Sequence, residues 1–448
     1  MRPLIMALAL LAAGPAVAGN GEPVAAPAAG VKLAQDDGKP VASDPQLRIE
    51  QAFSKAPGTS IEQKIGQMVL IGFNGDTVDN KAFKRTRAQL EKGEITGVIY
   101  LKRNIRNAAS VKAMNAELQI AAGDLPPLIS IDQEGGRIER LTSAVGFPET
   151  PSAARMAASV DPRGALEAYG RMAANLKAWG FNLNFGPVVD LNVNASNPII
   201  GKLGRSYSAD PAKVADYASA FVNGHRQHRV LTALKHFPGH GSSTRDSHKG
   251  AVDVTASWTP QELEPFRSLI RGKDADLVMS GHVHNGQLQA KGDKAPMSLS
   301  PALARSLRGD LKFNGVIITD DMQMDAVHGA YSLANAVLRA VKAGNDIMIF
   351  ANDKHADPDI PGKVALILKE AAAKDPAVRR AIDASYARIV RMKNWLLTTN
   401  SIAASARVNP DTQALRDLSA STRAVLSAEL MQANRRDVRL ALPGGVLF

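Results

Sequence analysis

Eight short apolar runs recur along this chain, most of them separated by longer amphipathic stretches, and no other feature restricts the possible folds as much. The runs are Met68–Gly72, Gly97–Leu101, Pro127–Ile131, Asn182–Phe185, Leu231–Leu234, Leu277–Ser280, Gly315–Thr319 and Asp346–Phe350. Runs of this length that end in polar or acidic residues suit strands of a parallel sheet buried on both faces. Between them, Ala108–Ala122, Pro162–Trp179, Pro211–Gln227, Pro260–Leu269, Pro301–Leu307 and Leu333–Ala343 are predicted helices. Several open with proline, whose missing N–H costs nothing at a helix start. This alternation builds either a closed barrel or an open doubly wound sheet, and periodicity alone does not separate them. The polar residues do. Asp132, Asp190, Lys235, His236, His282 and Asp320 fall just past predicted strands, and in a barrel the C-terminal strand ends converge on one site. The predicted fold class is α/β, a (β/α)₈ barrel of the TIM type forming one catalytic domain over residues 61–400.

The flanks read differently. Met1-Arg2, the apolar run from Leu4 to Leu11 and Ala16-Val17-Ala18 form a basic start, a short greasy stretch and a small-residue cleavage pattern, as in a secretory signal peptide. Cleavage is expected after Ala18. The apolar stretch falls short of the ~20 residues that span a bilayer, so no stable membrane insertion is expected after cleavage, and the protein is expected to be exported, periplasmic or secreted. Residues 19–60, rich in Ala, Pro, Gly and Asp, are expected to be a flexible leader. Beyond the last strand, Lys363–Lys374 and Pro376–Leu397 are predicted closing helices, followed by a Ser/Ala-rich stretch near Ser401 to Arg407. The tail, 401–448, has room for a helix at Thr412–Gln432 and an extended piece at Val438–Leu442, but is too short for a second domain.

Composition narrows the partners. With 448 residues, 45% hydrophobic and 22% charged, the chain can bury one large core. It has no cysteine, which excludes disulfides, thiolate metal sites and a lipid-anchored cysteine. The net charge is +11, and losing Arg2 with the signal leaves +10, so anionic partners are favoured. The basic residues are scattered and aromatics make up only 5%, unlike a nucleic-acid-binding stripe. A polyanionic envelope polymer fits better than nucleic acid.

Three segments carry the chemistry. The first, Lys235-His236-Phe237-Pro238-Gly239-His240-Gly241-Ser242-Ser243-Thr244-Arg245-Asp246-Ser247-His248, is broken by proline and glycine and predicts a mobile loop leaving a strand. If that loop is extended, Asp246 and His248 share a face, and the carboxylate can orient the imidazole as in an acid/base pair. The alternative is a surface turn with a chance Asp-X-His. The second is Val316-Ile317-Ile318-Thr319-Asp320-Asp321, an apolar strand that ends in two acids. It delivers a carboxylate to a barrel mouth as nucleophile or metal ligand, or one acid, Asp321 rather than Asp320, caps the next helix. The third, Ile131-Asp132-Gln133-Glu134-Gly135-Gly136-Arg137-Ile138-Glu139-Arg140, sets carboxylate and guanidinium groups beside paired glycines. That suits bidentate bonding to vicinal sugar hydroxyls with close backbone approach, or a salt-bridged turn.

Together with Asn197-Pro198-Ile199-Ile200-Gly201 and Gly204-Arg205-Ser206-Tyr207, these segments resemble glycoside hydrolase family 3, in its bacterial single-domain β-N-acetylglucosaminidase branch. The resemblance covers roughly Ile61 to Leu397. It implies a retaining β-N-acetylhexosaminidase that releases terminal β-linked N-acetylglucosamine from peptidoglycan fragments or related glycans through a covalent glycosyl-enzyme. Asp320 would be the nucleophile, with His248, held by Asp246, as acid/base. Asp132, Arg140, Arg205, Lys235 and His236 would contact the sugar. His240, although inside the signature, has no derived role. The resemblance calls for no cofactor and no metal. Relatives of this single-domain kind are typically cytoplasmic recycling enzymes, so an export signal shifts the expected substrate to wall fragments outside the inner membrane.

Three other readings compete. A β-N-acetylglucosaminide phosphorylase could use the same site, since a histidine acid/base tolerates anionic phosphate. A metal-dependent barrel hydrolase would take ligands from His236, His240, His248, His282, His284 and Asp320, with His282-Val283-His284 alternating like a ligand pair. A non-catalytic wall-binding protein would have no need of Asp246, His248 and Asp320.

Overall fold

The structure, a computed structural model, describes residues 59–405. The predicted signal peptide, all but the last two residues of the leader, and the tail segments Thr412–Gln432 and Val438–Leu442 lie outside the described residues.

All eight apolar runs are strands of one closed, all-parallel barrel. In chain order these are β1 (Val69–Gly72), β2 (Gly97–Tyr100), β3 (Leu128–Ile131), β4 (Leu183–Asn184), β5 (Leu231–Phe237), β7 (Leu277–Ser280), β9 (Val316–Asp321) and β10 (Ile347–Phe350), with β6 (Val252–Asp253) and β8 (Val283–His284) forming a separate two-stranded sheet. The barrel closes where β1 meets β10, with Val69 opposite Met348 and Ile71 opposite Phe350. Most barrel strands are buried along their whole length, as parallel strands covered on the outside by helices and filled on the inside by side chains must be. The barrel therefore replaces the open-sheet alternative.

Helices start where the sequence supplies caps. The Asp161 side chain accepts from the Gly164 N–H ahead of Pro162–Ala178, and that of Asp210 accepts from the Ala212 N–H ahead of Pro211–Gln227; in each, proline takes the first helical position. These two helices touch backbone to backbone, since a Cβ on Gly224 would fall 2.8 Å from the Gly170 nitrogen. Two predicted helices differ. Pro260–Leu269 is a 3₁₀ turn, Pro260–Leu263, followed by a helix, Glu264–Arg271, restarted where Pro265 has no N–H to donate. Pro301–Leu307 is helical only at Ala302–Ala304 before widening into a π turn, Arg305–Asp310, where Arg308 is drawn to the Phe313 and Gly315 carbonyls and to Asp346. The closing helix, Pro376–Ser405, runs on into the Ser/Ala-rich stretch. Among the described residues no helix is long and apolar enough to cross a membrane.

One difference bears directly on the site. β5 extends three residues further than predicted, so Lys235, His236 and Phe237 belong to the strand, and His240 to Ser243 are buried as well. Polar residues in a strand read as loop in a sequence. Here they face carboxylates inside the barrel mouth, so burial leaves them satisfied. Within the signature segment, exposure begins only at Thr244.

Candidate active site

β9 brings its two acids to the mouth on successive residues, and successive strand residues point to opposite sides. Asp320 turns toward imidazoles. Burial alone would raise its carboxyl, but His236, His282 and His248 outweigh this and hold it below the usual carboxylate range, leaving an ionised, partly buried carboxylate. Asp321 turns toward β10, where its Oδ1 accepts from the backbone N–H groups of Ala351 (2.9 Å) and Gln323 (3.0 Å). Burial, with Asp320 adjacent, pushes Asp321 up to about 6. It does not cap the following helix, Asp325–His328, which starts at Met324 without a side-chain cap; tying β9 to β10 is its observed role.

The end of β3 meets β5 in a charged cluster. Asp132 takes Lys235 Nζ on Oδ1 at 2.9 Å and Arg140 on Oδ2 at 3.0 Å. Lys235 Nζ also lies 2.7 Å from Glu134 Oε1, and Glu134 binds Arg205 through both oxygens at 2.8 Å. Burial opposes ionisation of both acids. The cations outweigh it, holding Asp132 far below the normal carboxylate range and Glu134 at about 2. Glu134 is a site residue that sequence reasoning misses, although it stands in the Asp-Gln-Glu-Gly-Gly segment. Its partner Arg205 sets its third nitrogen on the Ile199 carbonyl at 2.9 Å, so each nitrogen has a partner within the protein while Nη1 and Nη2 each keep a second N–H. The paired glycines serve backbone approach: a Cβ on Gly135, at φ +102°, would lie 2.4 Å from the Pro151 carbonyl oxygen.

A second buried carboxylate organises the signature. Asp190 accepts from His236 Nδ1 (2.7 Å) and from the backbone N–H groups of His236 (3.2 Å) and His240 (2.8 Å). On the other side, Glu262 accepts from the Gly241 and Ser242 N–H groups at 3.1 and 3.3 Å. Burial, reinforced by Asp190, pushes Glu262 up to about 7. Trp258 donates to the Pro238 carbonyl, and the Asn197 amide to those of His240 and Gly241. Neither Glu262 nor Asn197 has a local pattern that predicts this.

Past Ser243 the chain rises into a 3₁₀ turn, Ser247–Lys249, with Asp246 as its cap. Asp246 and His248 do meet, but through this turn and not through an extended loop. One carboxylate oxygen, Asp246 Oδ1, lies 2.9 Å from both the His248 backbone N and its Nδ1. The His248 side chain is 61% exposed, and with Nδ1 engaged its Nε2 is the ring nitrogen left for chemistry. The turn packs on helix Asp325–His328, which comes after Asp320 in the chain, so the dyad and the acid of β9 share one side of the mouth. His282, beside Asp320, has its ring nitrogens on Ser298 Oγ and the Asp321 carbonyl, and His284 is directed to the Ala295 carbonyl.

Comparison with known proteins points to one family. Residues 60–392 match the model of the glycosyl hydrolase family 3 N-terminal domain. A β-hexosaminidase of Stenotrophomonas maltophilia is 34% identical over 300 residues, covering 65% of this chain and 85% of that one. The β-hexosaminidase LpqI of Mycobacterium tuberculosis is 33% identical over 286 residues, covering 62% and 71%. Among solved structures, a family 3 β-N-acetylglucosaminidase from Paenibacillus superposes with a TM-score of 0.68 at 32% identity over 79% of this chain and 65% of that one. A β-N-acetylhexosaminidase from Beutenbergia cavernae gives 0.66 at 29% identity, over 75% and 99%.

Proposed function

Since the chain belongs to glycosyl hydrolase family 3 and is a glycoside hydrolase, we propose that it is a retaining β-N-acetylhexosaminidase with Asp320 as nucleophile and His248 as acid/base. The observation that carries this reading is an ionised carboxylate at the end of β9 on the same side of the mouth as an Asp246-bound imidazole with a free Nε2. In the first step Asp320 attacks the anomeric carbon while imidazolium His248 gives its Nε2 proton to the departing oxygen, and the glycosidic bond breaks. Neutral His248 then takes a proton from water, whose oxygen displaces Asp320 and regenerates the carboxylate. Asp246 holds Nδ1 and stabilises the imidazolium. Asp132, fixed as a carboxylate by Lys235 and Arg140, has lone pairs left for sugar hydroxyls. His236, with Nδ1 on Asp190, presents its other nitrogen to the glycone. Arg205 holds Glu134 under Lys235 at the same subsite and has N–H donors left for the glycone.

The experiment that tests this is hydrolysis of aryl β-N-acetylglucosaminide against aryl β-glucoside, beside a purified muropeptide, with and without inorganic phosphate. Release of free N-acetylglucosamine with preference for the acetamido sugar is expected. A sugar 1-phosphate formed only with phosphate would assign a phosphorylase instead.

We further propose that the protein is exported and acts on wall-derived glycans. The support is the three-part pattern in Met1–Ala18 and the basic charge left after its removal. A histidine acid/base also avoids the repulsion that a glutamate would meet from a lactyl carboxylate on a muramic acid aglycone. N-terminal sequencing of protein recovered outside the inner membrane should begin near Gly19. A cytosolic protein with Met1–Ala18 intact would refute export.

A further inference from the structure

The Asp246–His248 bonds orient the ring against its own turn, but they do not hold the turn against the barrel. We propose that His240 and Ser247 form a tether that positions the Asp246–His248 pair over the glycosidic oxygen, with His240 a positioning residue. The proposal rests on the assignment of His248 as acid/base. The His240 ring is buried, with Nδ1 2.7 Å from Ser243 Oγ and Nε2 3.2 Å from Ser247 Oγ. Ser247 stands between Asp246 and His248 and is itself buried, while its neighbours Arg245, His248 and Lys249 are exposed. Among the described residues, Ser247 Oγ makes the one side-chain hydrogen bond from the turn 246–249 to the rest of the barrel.

The inner end of the tether is rigid. The His240 N–H donates to Asp190, its carbonyl accepts from Asn197, and the Asn197 amide also reaches Ser243 Oγ at 3.1 Å. Burial lowers the ring to about 4, so it is neutral, with one nitrogen donating and the other accepting. Serine hydroxyls do either, so both contacts are satisfied whichever tautomer is present. Asp190 also holds the His236 ring, and one carboxylate thus registers the glycone side of the mouth with the base of the acid/base turn. A loosened turn leaves the Asp246–His248 bond intact but spreads the positions of Nε2, and general acid catalysis is sensitive to such displacement.

Ser247→Ala removes only the outer contact. His240→Asn places an amide nitrogen near Nδ1, keeping the Ser243 bond and dropping the one to Ser247. The readout is kcat/KM, which reports formation of the glycosyl-enzyme, on a β-1,4-linked N-acetylglucosamine disaccharide and on dinitrophenyl β-N-acetylglucosaminide, with His248→Ala in parallel. For each variant we expect a loss of about tenfold on the disaccharide, part of the ~10²–10⁴ that a general acid contributes. On the aryl substrate, which leaves without proton help, the loss should stay within about threefold. The double variant should lose no more than the worse single one, as for two ends of one link. Equal losses on both substrates in a folded variant, or no loss, overturn the tether. If His248→Ala shows the leaving-group dependence and the tether variants do not, only the tether falls; if His248→Ala lacks it too, the acid/base assignment falls as well. Should Ser247→Ala fail to fold, His240→Asn carries the test with the same outcomes.

Discussion

Asp320→Asn is expected to stop turnover, with kcat falling on the order of 10⁴-fold or more, as when a covalent nucleophile is removed. The fold should survive. The Asp320 carboxylate accepts the Asp321 N–H at 2.8 Å, and an amide oxygen accepts it equally well. Neutralising a partly buried charge also removes a desolvation cost, although His236, His282 and His248 lose the anion they surround. Asp321→Asn should be far milder. Its carboxyl already sits at about 6, and its contacts are two backbone donors that an asparagine oxygen can still receive. Circular dichroism, kcat and mass spectrometry after treatment with a fluorosugar check the pair of variants. Label on any residue but Asp320, or a wild-type rate in Asp320→Asn, would remove Asp320 from the mechanism.

The barrel was legible in the sequence because a doubly covered parallel strand has a local signature, and each of the eight runs is one. The nucleophile's strand was legible for the same reason: Val316-Ile317-Ile318 can only be buried, so the two acids behind it must emerge at an end. β5 reads three residues short because Lys235 and His236 resemble a loop until Asp132, Glu134 and Asp190 are known to face them. Those partners lie just past β3 and β4; their strand-end positions mark Asp132 and Asp190 as residues of the mouth, but no spacing along the chain pairs them with Lys235 and His236. His240 is the clearest case. Its neighbours in sequence say nothing of a ring bridging two serine hydroxyls, one on the buried half of the signature and one on the exposed turn. The charged cluster at the mouth adds a further reason. Replacing a buried network of this kind by apolar side chains is often neutral or stabilising, so its placement at a barrel mouth is more readily understood from substrate contact than from packing.

His248 itself allows the sharpest test, because the two steps need its proton differently. Protonation matters most when the departing oxygen is basic, so His248→Ala should slow hydrolysis of sugar-linked substrates by a factor on the order of 10²–10⁴. On activated aryl β-N-acetylglucosaminides, kcat/KM should fall much less, since a nitrophenolate departs unaided. The second step still needs a base for water, so kcat should drop and the glycosyl-enzyme should accumulate on Asp320. Azide, an anionic nucleophile that needs no proton removed, should speed its breakdown and give the β-glycosyl azide. Removing the ring leaves the Asp246 carboxylate without its Nδ1 partner, so the added anion approaches beside a negative charge, and Asp246→Asn in the same background should strengthen the rescue. Asp246→Asn alone should reproduce the leaving-group trend more weakly, because an amide oxygen can still accept from Nδ1–H but stabilises the imidazolium less. Equal losses on aryl and sugar leaving groups, with no trapped intermediate and no response to azide, would mean that His248 binds substrate and that another residue moves the proton.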